Sequence, residues 1–303
     1  MFMYRIGILT DNLEEDFHSA ELFEEASNRA NAYYIRPREL ELTISRNTPL
    51  IKAGKISLYD LDALIVRHLD GNFDTDLQFD LLSQLQQSGV LLVNSCQSLQ
   101  ISESKALTHY LLSLYGLPVV ESLSTQEPAK AFRFASRFCD AIIKPLYGQL
   151  GEDVLRLSEL QNPEQEIAAF IDNYGSVNVQ QYVEAGGRDK RVFVIDDHVS
   201  AVIERQAQEG WKSNIFQGAK AQKIELSKNL RDLAVKASQI IGLSYSGIDF
   251  ISGNGRTYIL ELNGSAAWSG VEEATGKNIA AEIISFVLRK LEKRRKTGQF
   301  ISS

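Results

Sequence analysis

The chain has 303 residues, 44% of them hydrophobic, enough for a full core and more than one domain, which excludes a disordered or marginally stable chain. Its net charge of -7 gives no general electrostatic basis for holding nucleic acid, and the basic run "RKLEKRRK" at 289–296 reads as a solvated helix end that suits the helix dipole. The only cysteines, Cys96 and Cys139, have no metal-ligand spacing and suggest no disulfide framework, the opening is too short for a secretory signal, and no segment is apolar over a membrane-spanning length, so a soluble cytoplasmic protein without a membrane partner is expected.

A strand is predicted over 4–10, then a helix with Phe17, Leu22, Phe23 and Ala26 near helical spacing. Strands at 31–37 and 61–69, a helix ending at Gly89 and a buried strand stopped by Asn94 continue the alternation. That pattern predicts a small α/β domain over 1–95 with a mainly parallel sheet. "GILTDN" after the first strand lacks the spaced glycines of a dinucleotide fingerprint. A single helix is expected over 102–116, stopped by Gly116 and Pro118, then a strand over 119–125. A helix with Phe132, Ala135 and Phe138 on one face leads into a strand over 140–148. Beyond a helical stretch through Phe170 come strands at 178–184 and 190–205, the second folded into a hairpin at Asp196 and Asp197. A helix over 227–242, a second hairpin over 245–264 turning at "GNG", and a helix over 278–293 close the chain. Two α+β halves, 96–177 and 178–303, are therefore expected after the first domain.

Chemistry is concentrated in three groups. Glu261 and Asn263 share one side of "YILELNG", because alternate strand residues face the same way, and Asp249 lies in the partner strand. Two carboxylates and an amide oxygen form the hard donor set that Mg²⁺ takes, without the histidines or thiolates of a zinc site; the alternative is a solvated sheet face. Lys144 ends the apolar strand "AIIK" just before Pro145, and Gly148 and Gly151 follow in a loop whose backbone can approach phosphate. An ordinary surface lysine is the competing explanation there, and a solvated helix lysine at Lys105. Asp189 and Arg191 alternate on one face of the first hairpin, Arg205 ends its return strand, and Lys212 and Asn214 sit in "GWKSN". Arg188, Lys190, Arg191 and Arg205 together predict a locally positive centre suited to developing phosphoryl charge. No serine or cysteine elbow accompanies the four histidines. The residues thus point to a magnesium-nucleotide site between the two α+β halves.

The ordered segments "NSCQSLQISESKALTHYLLSLYGLPV", "AIIKPLYGQLGEDV", "VQQYVEAGGRDKRVFVIDDHVSAVIERQAQEGWKSNIFQGA" and "GIDFISGNGRTYILELNGSAAWSGVEEATGKNIA" together resemble the ATP-grasp superfamily, and within it the RimK-like α-L-glutamate ligases. The resemblance covers nearly all of 4–292. It implies an ATP-grasp fold behind an N-terminal parallel-sheet domain, with a phosphate lid in 96–177 and the metal site and basic tail in 178–303. It also implies ATP and Mg²⁺ (or Mn²⁺) as cofactors, L-glutamate as the amine, a small-molecule or protein-terminal carboxylate as acceptor, and a homo-oligomer of the kind such ligases often form. By the same resemblance Lys105 and Lys144 contact ATP phosphates, Gly148 and Gly151 belong to the lid, and Gln181, Tyr182 and Val183 frame adenine. Asp189 and Lys212 lie by the nucleotide, Arg191, Arg205 and Asn214 serve catalysis, and Asp249, Glu261 and Asn263 hold the metal. The chain departs from the family pattern at Asp153, where a lid glycine is common, at Gln181 for glutamate, at Lys212 for arginine, and at "GSAAW" for a serine-proline-glycine turn. That last change implies a differently shaped loop beyond the metal. The other function compatible with these residues is an ATP-binding regulatory or assembly protein with little ligase activity.

Overall fold

Apolar β1 (Arg5–Leu9) runs into the core of the computed structural model, which describes residues 3–148, 153–213, 218–253 and 255–297. Helix α1 (Phe17–Ser27) begins where the Asp16 carboxylate accepts from the His18 amide, so a capping aspartate starts it one turn after the polar loop. The chain continues through β2 (Asn31–Ile35), β3 (Leu40–Ser45), β4 (Thr48–Ala53), β5 (Ile56–Ser57), β6 (Ala63–Val66), α2 (Thr75–Gln87) and β7 (Leu91–Val93). Strands β2, β1, β6 and β7 lie in that order and every pair is parallel, as the alternation predicts. The β3–β4–β5 meander is not anticipated by the sequence reading. Its turn places Arg46 and Asn47 at positive φ, β4 carries Pro49, and most of β3 is exposed, so neither an apolar period nor a glycine turn announces it.

The helix expected over 102–116 is α4 (Lys105–Leu114), and a separate α3 (Cys96–Glu103), not anticipated by the sequence reading, precedes it. Ser104 between them is extended, and its hydroxyl accepts from the Leu107 amide, so it caps α4 and makes Lys105 that helix's first residue. Next come β8 (Ser122–Thr125), α5 (Pro128–Ala135), β9 (Ala141–Lys144), β10 (Leu155–Arg156), α6 (Pro163–Tyr174) and β11 (Val177–Gln181). They build an antiparallel sheet in the order β10–β9–β11–β8, with α5 and α6 packed together over it.

The remaining elements are β12 (Arg188–Ile195), β13 (His198–Gln206), β14 (Lys220–Lys223), α7 (Lys228–Ile241), β15 (Tyr245–Gly253), β16 (Arg256–Asn263), α8 (Ser269–Thr275) and α9 (Ile279–Lys296). An antiparallel sheet in the order β14–β13–β12–β15–β16 carries α7 on one face, where Ile241 meets Ile248 and Phe250. On the other side a single core joins Ile6, Ile8 and Leu22 to Phe193, Trp268, Ile283 and Val287. The first strand and the last helix therefore share one core. Arg294, in the basic end of α9, donates to the Gly89 carbonyl at 3.0 Å, so that end is partly docked instead of wholly solvated. Among the described residues no helix is long and apolar enough to cross a membrane.

Candidate active site

Antiparallel pairing puts directly opposed residues on the same face, and the register opposes Asp189 to Arg205, Arg191 to Asp249, and Asp249 to Glu261. The result is a buried four-residue ion cluster. Arg191 grips Asp249 in a fork, Nε to Oδ1 at 2.7 Å and Nη2 to Oδ2 at 2.6 Å. Arg205 grips Asp189 likewise, Nε to Oδ1 at 2.6 Å and Nη2 to Oδ2, and also reaches Asp249 Oδ2 at 2.9 Å. Burial by itself would raise the Asp249 carboxyl, yet the two guanidiniums hold it below the usual carboxylate range. Burial likewise disfavours the Arg205 charge, but Asp249 and Asp189 keep it firmly protonated. This corrects the expectation of a locally positive centre: two arginines are balanced by two aspartates, Lys190 faces Glu204 at 3.8 Å, and Arg188 donates to Gln206.

Lys105, Lys144, Tyr182, Val183, Lys212, Asp249 and Glu261 line one cleft between the antiparallel sheets. Lys144 is 5% exposed, and its ammonium donates to Gln180 Oε1 at 3.0 Å. Burial lowers it to about 8, with Glu261 opposing the shift and Lys105 adding to it. Lys105 donates to the Gly148 carbonyl at 2.9 Å and stands 3.7 Å from Glu261. Gly148 has φ 135, a conformation that favours glycine, and so presents that carbonyl to the lysine. Asp153 keeps a left-handed backbone (φ 53), which an aspartate tolerates better than most side chains. Gly151 and Asn214 lie outside the described residues.

At the end of β11 and just beyond it, the Gln181 and Tyr182 amides donate to the Glu121 and Asp140 carbonyls. The buried Val183 then passes Gly253 so closely that a Cβ there would lie 2.7 Å from Val183 Cγ1. The Tyr182 ring carries the Arg156 guanidinium 3.8 Å from its centroid and the edge of Trp211 at 5.8 Å. Trp211 is pinned to Glu159 by a 3.0 Å hydrogen bond, and Lys212 lies over its ring. Sequence reasoning passed over Trp211, Arg156 and Gln180; an aromatic in the otherwise polar "EGWKSN" was the available signal for the first, whereas the other two become visible only through cross-strand pairing.

The donor set suits a hard cation. Asp249 Oδ1 receives one hydrogen bond among the described residues and keeps an acceptor position, Glu261 Oε1 has Lys105 nearby at 3.7 Å, and Asn263 follows on the same face of β16. Among the described residues no three His, Cys, Asp or Glu side chains gather as a metal centre, so a three-donor set would need the Asn263 amide beside Asp249 and Glu261. Two lysines facing two carboxylates in one cleft likewise fit a phosphate chain with its counterion.

Glu261 also lines a second cleft, together with Arg191, Arg205, Asn263 and, from the N-cap of α1 and the residue after β6, Asp16 and Arg67. The "GSAAW" turn forms one wall. Ala266 packs so tightly on Gly247 that a Cβ at 247 would lie 2.8 Å from it, and Trp268 is fully buried. One opening thus faces a lysine-lined pocket and the other an arginine-lined one, with Glu261 common to both.

The profile of the RimK-like ATP-grasp domain matches 102–287. The chain is 33% identical to a tetrahydromethanopterin:α-L-glutamate ligase of Methanosarcina acetivorans, across 94% of this chain and 99% of that relative. It is 31% identical to a probable α-L-glutamate ligase of Hahella chejuensis, across 94% and 95% of the two. Among solved structures, the ATP-grasp ligase PsnB complexed with a phosphomimetic variant of its minimal precursor, Mg and ADP superposes with a TM-score of 0.76 at 22% identity, covering 96% of this chain and all of that one. A RimK domain ATP-grasp protein from Sphaerobacter thermophilus gives 0.71 at 19% identity, covering 94% and 99%. With relatives matched over nearly their whole length and the domain profile covering 102–287, the chain belongs to the RimK-like ATP-grasp family and is a ligase that joins a carboxylate to an amine.

Proposed function

We propose that the protein is an ATP- and magnesium-dependent α-L-glutamate ligase that adds L-glutamate to a terminal carboxylate and releases ADP and phosphate. The observation that carries this reading is the pair of clefts meeting at Glu261, one lined by Lys105 and Lys144 and the other by Arg191 and Arg205. Relatives named as α-L-glutamate ligases support the choice of amine. A carboxylate oxygen attacks the terminal phosphorus of ATP, the bond to the bridging oxygen breaks and ADP leaves; the amine then attacks the acyl carbon, inorganic phosphate departs, and the nitrogen gives up a proton. Lys105 and Lys144 bind the phosphates, and the linker Gln181–Tyr182–Val183 receives adenine, with the Val183 backbone as its partner. Asp189 orients Arg205, and Lys212 closes over the nucleotide. Arg205 and Arg191 stabilise oxygen charge on the acyl group, with Asn214 assigned to the same task from the following loop. Magnesium bound by Asp249, Glu261 and Asn263 would neutralise phosphate charge. The division into 1–95, 96–177 and 178–303 belongs to the same proposal, with Gly148 and Gly151 in the phosphate lid of the middle part. The acceptor is taken to be a carboxylate tail, and the relative named for tetrahydromethanopterin favours a small-molecule tail over a protein terminus. Incubation with ATP, Mg²⁺, L-glutamate and a panel of carboxylate-ended acceptors should release ADP and add the mass of one glutamyl residue; addition of a different amino acid's mass would overturn glutamate and leave the ligase chemistry standing.

A further inference from the structure

The second cleft contains a cation that the ligase chemistry just described does not use. Arg67 follows the buried strand β6, is 2% exposed, and lines the cleft opposite Arg191 and Arg205. Its Nη1 donates to Tyr245 Oη at 3.1 Å and to the Ala266 carbonyl at 3.2 Å, while the guanidinium lies 4.9 Å from the centroid of Trp268. Its Nε is closed to solvent and makes no hydrogen bond, and Asp16 Oδ2 forms an ion pair with it at 3.9 Å. His18 packs on the same indole at 4.6 Å, also with an unpartnered buried Nδ1. Burial, then Arg67, lowers that imidazole to about 4, so it faces the cleft neutral. Asp16 offsets part of the buried charge, while Nη2 makes no hydrogen bond among the described residues and is the donor left for an anion in the cleft. Trp268 and the Ala266 carbonyl that fix Arg67 come from the "GSAAW" turn, and Tyr245 comes from β15.

We infer that Arg67 binds the α-carboxylate of the incoming amino acid, with Trp268 and the Ala266 carbonyl holding it in place. The inference rests on the ligase reading. An amino acid anchored there by its carboxylate can extend its amine toward the Glu261 and Arg205 side of the cleft, where the acyl group is formed. Acidic Asp11, Glu15 and Asp16 also line this cleft, so it accepts a zwitterion more readily than the polyanionic tail of an acceptor.

The test compares each of the common L-amino acids with its α-amide by calorimetry, on full-length protein loaded with ADP and Mg²⁺, for the wild type and Arg67→Gln. In the wild type, amidation of the bound amino acid should weaken binding by about 30-fold or more, the scale of a lost buried charge-assisted contact. In Arg67→Gln the two forms should bind within about threefold of each other, with ADP affinity unchanged. Discrimination that persists in the variant overturns the role of Arg67 and leaves glutamate intact. If an amino acid other than glutamate shows the pattern, Arg67 stands and the glutamate reading falls; if the wild type binds no amino acid, both fall. A crystal of the wild type with ADP and the bound amino acid needs no variant to fold: an α-carboxylate on the Arg67 guanidinium supports the inference, and one held elsewhere, or an acceptor carboxylate at Arg67, overturns it.

Discussion

Lys144 shows how one residue's burial becomes a measurable property. Its ammonium costs the fold something while protonated, because burial lowers its pKa to about 8; that penalty is present below pH 8 and fades as pH rises toward the ordinary lysine value. A phosphate chain beside it favours the charged form. ATP binding near pH 8 should therefore take up protons, and affinity should fall about tenfold between pH 7 and pH 9 as the free protein loses that charge. Calorimetry in buffers of different ionisation enthalpy reads the uptake, and Lys144→Met should bind weakly with no step near pH 8. Glu261→Gln keeps the side chain's size and removes its charge where the two clefts meet. Magnesium-dependent turnover should drop at least about 100-fold, or about 2.7 kcal/mol in barrier, with the circular dichroism spectrum unchanged. Full turnover in that variant would remove Glu261 from the metal set.

At the scale of elements, strands β12, β13 and β15 are tied by the Asp189–Arg205–Asp249–Arg191 cluster, whose side chains are all largely buried. Breaking such a cluster by neutralising one member leaves its partners charged and uncompensated. Asp249→Asn should lower stability by about 3–5 kcal/mol in urea unfolding, whatever it does to activity. A loss below about 1 kcal/mol would mean that water or a rearranged side chain takes over the carboxylate's role. The start of α4 gives a gentler test. Ser104→Ala removes the cap that makes Lys105 the first helical residue, and should cost about 1 kcal/mol and raise the KM for ATP while sparing kcat.

The whole molecule closes on itself, since β1 and α1 share a core with Trp268 and α9. Thermal unfolding should therefore give one cooperative transition for the N-terminal sheet and the C-terminal half together, followed by the fluorescence of Trp268 in a Trp211→Phe background. A chain ending before α9 should be insoluble, because Ile6, Ile8 and Phe193 would lose their cover. Two well-separated transitions, or a soluble folded chain without α9, would show that the N-terminal sheet stands alone.

Local order was legible in the chain. Strand and helix types follow from side-chain period, Asp16, Asp74 and Ser227 cap helices where polar residues precede apolar periods, and alternation alone places Glu261 and Asn263 on one side of β16. The signal that singled out Lys144, a cation ending the buried strand "AIIK", is repeated in "ALIVR", yet nothing in the sequence says that Arg67 ends beside Trp268. Charge balance was equally hidden: a count of nearby arginines predicts a positive centre, whereas pairing register sets Asp189 and Asp249 against Arg205 and Arg191. Period and capping act over a few neighbouring residues, so composition and spacing determine them. Cross-strand register and the docking of α1 on α8 and α9 join residues up to about 250 positions apart, and only closure of the common core decides which charges meet there.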